Sequence, residues 1–208
     1  APNLPWKGII PFAKMVQDKF KVPVKLTNDA NAAAVGEMMY GAAKGMKDFI
    51  MITLGTGVGS GIVANGQLIY GHDGFAGELG HTVIIPNGRK HSGTDQLGSL
   101  ESYTSATGVA ETAKELLSQS DRPSLLRTTN IDEITSKDVY EAAIKGDEVA
   151  KEVFEFTGKI LGIALANFVM FSNPESIILF GGLTRAGDLI LKPTRDSMES
   201  NLIEIFQN

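Results

Sequence analysis

The sequence predicts a single α/β domain, and three features lead to that fold class. The apolar run with β-branched residues at 49–54 and the segment 176–180 are typical of buried strands. The pair Asn65-Gly66, which lies between apolar segments, is a strong signal for a β-hairpin. Helix-like segments alternate with the strands, and no repeat or low-complexity linker divides the chain. We therefore expect one domain with a mixed sheet flanked by helices.

The amino-terminal part of the chain is predicted to contain two helices and a strand. An amphipathic pattern predicts a helix at 11–20, and apolar residues predict a strand at 22–27. The polar run Asn-Asp-Ala-Asn at 28–31 comes next. An Ala-rich helix is expected from about residue 32 to 43, because Gly45 just beyond it is a usual stop signal.

The rest of the chain is predicted to hold glycine-rich loops and then mainly helices. The segment 71–81 and the turn-rich segment 86–98 are predicted as loops around a short strand at 82–85. Helices are expected at 106–119, 137–143 and 147–171, with a last one near Gly187 whose start Pro193 can shift.

Composition limits the classes of function that are open. The 208-residue chain has a formal net charge of −5, which argues against broad binding to nucleic acid or anionic membranes, because both favour basic patches. The chain has no cysteine, which excludes disulfides, thiolate zinc sites and cysteine nucleophiles and fits a reducing cytoplasm. The longest apolar stretch, 160–171, is too short to cross a bilayer, so we expect it in the core.

The first candidate site is the glycine-rich segment 55–61, which connects one predicted strand to the next. Closely spaced glycines let backbone N–H groups approach a phosphate without obstruction by Cβ atoms. The segment is not a Walker loop, because no Gly-Lys-Ser/Thr follows, and a strand follows where a dinucleotide fingerprint needs a helix. The pattern alone does not separate a phosphate cradle from a tight turn in a twisted sheet.

The second candidate is the polar run at 28–31, between the predicted strand and helix. Taken alone, Asp29 fits a helix N-cap best. The functional alternative is a general base, since the positive end of a helix stabilises a carboxylate and phosphoryl transfer tolerates a weak base. The neighbouring Asn side chains carry donors and acceptors that suit a hydroxyl-rich ligand.

Two further groups of residues are candidates for ligand binding. Glu78 and His81 are spaced to face a polyol from one turn, but taken alone a solvated Glu and a capping His are the favoured explanation. Glu101 fits either a ligand contact or an acid at a helix start, where the helix dipole favours it. Gly181-Gly182 end a buried strand, which permits either a plain turn or close approach of a ligand to the backbone.

Individually these motifs are weak, but their order along the chain closely resembles the ROK family of repressors, uncharacterised reading frames and sugar kinases. The motifs that carry the resemblance are Asn-Asp-Ala-Asn at 28–31, the glycine-rich segment 55–61, Gly-Glu-Leu-Gly-His at 77–81, the stretch from Gly88-Arg89 to Leu100-Glu101, and Phe-Gly-Gly at 180–182. The resemblance covers essentially the whole chain. It implies an actin-like ATPase (ribonuclease H-like) fold.

The resemblance also implies a role for each candidate. Asp29 corresponds to the base that takes the proton from a sugar hydroxyl, usually the 6-OH of a hexose. The implied sugar-binding set is Asn28, Glu78, His81 and Glu101. Thr56 and Gly57 correspond to a phosphate-binding hairpin, and Gly181 and Gly182 to the nucleotide-binding edge. ATP and Mg²⁺ are the implied cofactors, with the ion neutralising charge on the phosphates.

The sequence departs from the family at a zinc site that many members carry. There the His of the Gly-His pair and three cysteines, in a Cys-x-Cys-Gly-x-x-Gly-Cys pattern, hold the ion. Here the matching stretch, 91–99, has no cysteine and is one residue longer. We predict no structural zinc. A replacement site of His81, His91 and Asp95 is less favoured than a hydrogen-bonded loop, and 87–98 is expected to be either more mobile or held by side chains.

A second departure concerns the extent of the chain. Kinases of this family begin with an Asp-x-Gly-Gly-Thr motif on an amino-terminal domain, and nothing here matches it. We expect 1–208 to be the large carboxyl-terminal domain, without the amino-terminal domain and the extreme carboxyl terminus, and to turn over ATP poorly by itself.

Three functions remain open at this stage. The favoured one is a cytoplasmic, ATP-dependent hexose kinase, with glucose first and N-acetylmannosamine, N-acetylglucosamine, fructose and allose as further substrates. The alternatives are a sugar-responsive repressor, whose DNA-binding helices would lie outside this part, and a non-catalytic sugar-binding protein. We expect self-association, as in many family members, and no contact of this part with nucleic acid or membrane.

Overall fold

The computed structural model describes residues 8–207. Its helices are α1 (Phe12–Phe20), α2 (Asp29–Tyr40), α3 (Glu101–Thr104), α4 (Ala106–Gln119), α5 (Ser136–Ile144), α6 (Glu148–Ser172) and α7 (Asp188–Asn201). Its strands are β1 (Phe49–Leu54), β2 (Val58–Ala64), β3 (Gln67–Leu68) and β4 (Ser176–Phe180). Short 3-10 turns at Leu79–His81 and Gly182–Ala186 lie next to the site described below.

The four strands form one mixed sheet in the order β3-β2-β1-β4. β1 pairs antiparallel with β2 and parallel with β4, so the hairpin and the strand–helix unit meet on this strand. Asn65 and Gly66 both have positive φ at the β2–β3 turn, as the Asn-Gly signal predicted. The predicted α/β class with a mixed sheet flanked by helices is confirmed.

Both faces of β1 are covered, which explains why it is largely apolar rather than alternating. The strand β4 at the end of the order, expected to be buried, is only partly buried, and Phe180 is exposed. Ile50, Ile52 and Leu54 belong to the larger core with α4, α5 and α6. Phe49 and Met51 point to the other side, where they pack with Ala34 of α2. The carboxyl end of β1 therefore emerges between two helical layers, and the site lies there.

The long helix α6 is the main support of the larger core. Among residues 8–207, it is the one helix long and apolar enough by composition to span a membrane, but 61% of its most apolar window is buried inside the protein. Gly158 and Gly162 let α7 approach closely, since a Cβ at Gly162 would lie 2.4 Å from the Thr194 carbonyl oxygen. The expectation that 160–171 lies in the core is confirmed for most of 160–168, including Leu161 and Leu165, but Met170 and Phe171 at its end are exposed.

Some boundaries predicted from the sequence are wrong. No strand forms at 22–27, where Val22 and Leu26 are exposed and no other described strand pairs with the segment. The short strand expected at 82–85 is reduced to a single bridge between Val83 and Ser99. The second helix begins at Asp29 rather than near residue 32 and ends at Tyr40. The start of the last helix was predicted correctly: it begins at Asp188, as expected near Gly187, and Pro193 lies within it and packs on Gly158.

Candidate active site

A cleft of about 760 Å³ opens where β1 turns into β2. It brings together eight of the nine candidate residues, although they are spread over more than 150 positions of the chain. The eight are Asn28, Asp29, Thr56, Gly57, Glu78, His81, Glu101 and Gly181. The ninth, Gly182, lines a neighbouring cleft of about 470 Å³ that shares Gly55 and Thr56 with the first.

The amino terminus of α2 presents Asp29 to the cleft. Asn28, not Asp29, is the N-cap, because its Oδ1 accepts hydrogen bonds from the N–H groups of Ala30 at 2.8 Å and Asn31 at 3.2 Å. The simple N-cap interpretation of Asp29 is therefore wrong. Asp29 is the first helical residue, and its Oδ1 accepts from the Ala30 N–H at 2.8 Å. Its Oδ2 has no hydrogen-bond partner within residues 8–207 and remains available to a ligand.

The glycine-rich segment forms a tight turn from β1 to β2, which we call the glycine turn (residues 55–57). The Gly55 N–H donates to the Gly57 carbonyl at 3.0 Å. The amino end of α4 is fixed to it, because the Ala106 N–H donates to the Gly55 carbonyl at 2.8 Å. A Cβ at Gly57 would lie 2.6 Å from Oε2 of Glu101, so this position accommodates only glycine without a shift. The turn thus exposes backbone next to a helix amino terminus, which is suited to a phosphate.

Gly181 closes the cleft at the end of β4. Its φ is +115°, and a Cβ there would lie 2.4 Å from the Leu54 carbonyl oxygen of the adjacent strand. Glycine is therefore required both by the backbone conformation and by the close approach of β1. Gly182, one residue on, has nothing within 4 Å of its Cβ direction and borders the second cleft.

The loop that carries Glu78 and His81 is held against β2 by a side chain that the sequence did not single out. Buried Ser60 donates its hydroxyl proton to the Gly77 carbonyl and accepts from the Leu79 N–H at 3.2 Å. A Cβ at Gly80 would lie 2.3 Å from the Val58 carbonyl oxygen, so this loop also needs a glycine to reach the sheet. These contacts set Glu78 and His81 in the wall of the cleft.

Glu101 makes two contacts that link separate parts of the site. Its Oε2 accepts a 2.6 Å hydrogen bond from the Val58 N–H, just after the glycine turn. Its Oε1 contacts Nε2 of His91, whose side chain is 7% exposed. Sequence reasoning did not count His91 among the site residues. Its position in the stretch that replaces the zinc motif is the signal that could have pointed to it.

The described residues do not assemble a metal site. No group of three or more His, Cys, Asp or Glu side chains within 8–207 is arranged to hold an ion. The replacement site of His81, His91 and Asp95 is not formed, because Asp95 is almost fully exposed and pairs with Lys90 at 2.7 Å. The absence of structural zinc stays a prediction from the sequence.

Taken together, the cleft places an unshared carboxylate oxygen, several polar side chains and a glycine turn around one space. The carboxylate can accept a proton from a bound hydroxyl. The amide, carboxylate and imidazole groups suit a ligand with many hydroxyls. The turn and the α4 amino terminus suit an anion.

Comparison with known proteins is consistent with this arrangement. The model of the ROK family matches residues 1–208. A glucokinase from Halalkalibacterium halodurans is 41% identical over 201 residues, which are 96% of this chain and 61% of the relative. A xylose repressor from Caldicellulosiruptor bescii is 35% identical over 209 aligned positions, covering 100% of this chain and 52% of that protein.

Among solved structures, a ROK family glucokinase from Streptomyces griseus in complex with glucose and AMPPNP superimposes with a TM-score of 0.84 at 36% identity. The match covers 98% of this chain and 66% of the other. The fold is therefore that of the actin-like ATPases. The chain spans 61% and 52% of the lengths of the two curated relatives above.

Proposed function

The chain belongs to the ROK family, and on that premise we propose that the whole protein transfers the γ-phosphate of ATP to a hexose. Glucose is the first candidate substrate, and glucose 6-phosphate the product. The observation that carries the proposal is the position of Asp29, which has an unshared carboxylate oxygen and lines the same cleft as the glycine turn and the polar set. A glucokinase relative at 41% identity supports a sugar kinase.

The sugar is proposed to lie between α2 and the loop of residues 77–81. Asn28 uses its Oδ1 for capping, which leaves its amide N–H groups as donors to a sugar oxygen. Glu78 and His81 line the same cleft. Glu101 also lines it, and its contacts with Val58 and His91 fix its orientation.

The nucleotide is proposed to occupy the glycine turn and the adjoining cleft. Thr56 borders both spaces, so phosphates at the turn and a base in the second cleft would be continuous. That cleft has apolar and aromatic walls, including Tyr140, Phe154 and Leu183, which suit a planar base. Lys137 and Arg185 also line it and supply positive charge next to an anionic ligand.

In the reaction that we propose, Asp29 accepts the proton of the sugar 6-OH as that oxygen attacks the γ-phosphorus. The new O–P bond forms while the bond between the γ-phosphorus and the β,γ-bridging oxygen breaks, and ADP leaves with the electron pair. Asp29 then returns the proton to solvent. Most of the rate enhancement in such a transfer comes from positioning the two substrates, so the weak base that a carboxylate at a helix amino terminus provides is sufficient.

Magnesium enters this scheme as part of the nucleotide. The described residues form no ready set of ligands, so we place Mg²⁺ on the phosphate oxygens of ATP rather than in a resident protein site. When bound there, it would neutralise charge that develops on the phosphates. The proposal also locates the enzyme in the cytoplasm.

A second candidate function is a sugar-responsive repressor. It is favoured by the xylose repressor that matches 100% of this chain at 35% identity. Such a protein would use the same cleft to bind a sugar without transferring phosphate. The polar side chains of the cleft suit sugar binding in either function, so phosphorylation of a sugar is the property that distinguishes a kinase from a repressor.

The test is a panel of hexoses with the whole protein, Mg²⁺ and ATP, followed by ADP release in a coupled assay. Glucose, fructose, allose, N-acetylglucosamine and N-acetylmannosamine are the substrates. We expect saturable turnover with one of them, glucose first. Binding of a sugar by calorimetry with no ADP release from any hexose would contradict the kinase and favour the repressor.

A further inference from the structure

The loop of residues 87–98, which we call the clamp loop, lies against two residues of the proposed sugar site. In many family members the matching region is tied by zinc, as the resemblance above implies. This chain cannot supply that ion with its usual ligands, because it has no cysteine at all. The histidines, aspartates and glutamates of residues 8–207 form no group of three that could replace them.

One end of the clamp loop is anchored by Arg89, whose side chain is only 12% exposed. Its guanidinium pairs with Glu115 through Nε at 2.8 Å and Nη2 at 2.6 Å. The remaining donors reach the carbonyl oxygens of Ser102 and Gly108 and the hydroxyl of Thr112. The guanidinium carbon also lies 4.7 Å from the ring centre of Tyr103. This end is therefore fixed to α3 and α4 without a metal.

The middle of the clamp loop is joined to Glu101 by His91. The Nδ1 atom of His91 accepts a 3.0 Å hydrogen bond from the Gly93 N–H, so in the neutral ring the proton belongs on Nε2. That Nε2–H is directed at Oε1 of Glu101. Because the other oxygen of Glu101 already accepts from Val58, the carboxylate is held by donors on both sides.

The far end of the clamp loop holds His81 through Gln96. The Gln96 amide donates to the His81 carbonyl at 2.6 Å, and its Oε1 faces Nδ1 of His81 at 3.3 Å. This pairing places the proton of a neutral His81 on Nδ1 and leaves Nε2 as the acceptor. The rings of His81 and His91 meet edge to face at 5.3 Å, so the two contacts form one packed unit.

We propose that His91 and Gln96 are positioning residues that do, by hydrogen bonds, what a metal does elsewhere in the family. They hold the clamp loop against the sugar site and fix the orientation of Glu101 and His81 before the sugar arrives. The part of this inference that concerns sugar affinity rests on the proposed function. The part that concerns a metal-free clamp does not.

The metal-free part is tested by the zinc content of the whole protein and by its thermal midpoint with and without a strong chelator. We expect substoichiometric zinc and no change in the midpoint. Stoichiometric zinc whose removal lowers the midpoint would overturn the inference, whatever the enzyme turns over.

The positioning part is tested with His91→Ala, His91→Gln and Gln96→Ala, and with the exposed His72→Ala as the matched control. Amide hydrogen exchange in 87–98 is expected to quicken about tenfold or more in His91→Ala, as loss of a charge-assisted hydrogen bond implies. Gln carries an amide N–H near the place of Nε2, so His91→Gln is expected to recover most of the protection. His72→Ala should match the wild type.

Steady-state kinetics separate a positioning role of His91 and Gln96 from a purely structural one, because only the positioning role changes the KM for the hexose more than kcat. We expect His91→Ala and Gln96→Ala to raise the KM for the hexose about tenfold while kcat changes less, because the sugar contacts lose their preset orientation. Unchanged exchange and unchanged KM in both variants would refute the positioning role. If the wild type phosphorylates no hexose, the proposed function fails, and exchange and zinc content still decide the clamp.

Discussion

The backbone N–H of Val58 donates a 2.6 Å hydrogen bond to Oε2 of Glu101, a residue 43 positions away in the chain. This bond joins the glycine turn, where phosphates are proposed to lie, to the wall of the proposed sugar site. A Cβ at Gly57 would strike the same oxygen, so the contact is tight. One carboxylate therefore contacts both proposed halves of the site, and we expect it to couple them.

The first prediction concerns that coupling. Glu101→Ala removes the acceptor of the Val58 N–H and the partner of His91, so both walls lose support. We expect the KM values for hexose and for ATP to rise together, each about tenfold, as expected for loss of a hydrogen bond to a charged group. Steady-state kinetics of the whole protein check this, with the exposed Glu155→Gln on α6 as control. A rise confined to one substrate would contradict the coupling.

The second prediction compares two glycines. Gly181→Ala forces an alanine to φ +115° and sets its Cβ 2.4 Å from the Leu54 carbonyl oxygen. We expect a loss of about 1–3 kcal/mol in the free energy of unfolding. Gly36→Ala, in α2 with nothing within 4 Å of the new Cβ, should instead gain up to about 1 kcal/mol. Chemical denaturation measures both, and equal stability of the two variants would show that the close approach is not real.

The third prediction is a pH dependence of stability. Burial tends to raise the pKa of Asp147, but hydrogen bonds from the Ala150 and Leu125 N–H groups outweigh it and hold the pKa below its usual value. A carboxyl whose pKa is lowered by folding adds stability above its unfolded pKa of about 4 and loses it as the pH falls through the folded value. The wild type should therefore lose this contribution only in acid.

The variant that measures it is Asp147→Asn, which keeps a cap oxygen for Ala150 but turns an amide group towards the Leu125 N–H. We expect a cost of about 1–3 kcal/mol at neutral pH, shrinking below about pH 4. Urea unfolding at several pH values gives the difference, and the exposed Asp121→Asn is the control. A cost that stays constant down to pH 3 would contradict the charge-based explanation.

Much of the fold follows from local sequence signals that agree with their surroundings. β1 is apolar at five of its six positions because it is covered on both faces, and the Asn65-Gly66 turn has the positive φ values that its residues favour. The segment at 22–27 has apolar residues too, but Val22 and Leu26 are exposed and no described strand offers hydrogen-bond partners. An apolar segment forms a strand only where another strand lies beside it to pair with, and the sequence pattern does not show whether one does.

The candidate site was predictable as a set because the order of its motifs along the chain resembles that of the ROK family. The residues that hold it together were not. Ser60 contacts the loop at Gly77 and Leu79, and His91 contacts Glu101, through folding that brings separate segments together. Both side chains lie inside motifs, at 55–61 and 88–101, but nothing in either motif shows which distant residue they contact. The sequence also could not show that Asn28, rather than Asp29, caps the helix, since both residue types cap helices well.

The central claim is that Asp29 is the base of a phosphoryl transfer, and Asp29→Asn in the whole protein tests it most directly. The amide has the shape of the carboxylate and can still accept from the Ala30 N–H, but it cannot take a proton from a hydroxyl. We expect hexose affinity by calorimetry to stay within about threefold, while kcat falls by about 10²–10⁴-fold, the usual contribution of a general base. Wild-type kcat in the variant would contradict the account, and so would a wild-type protein without measurable kcat.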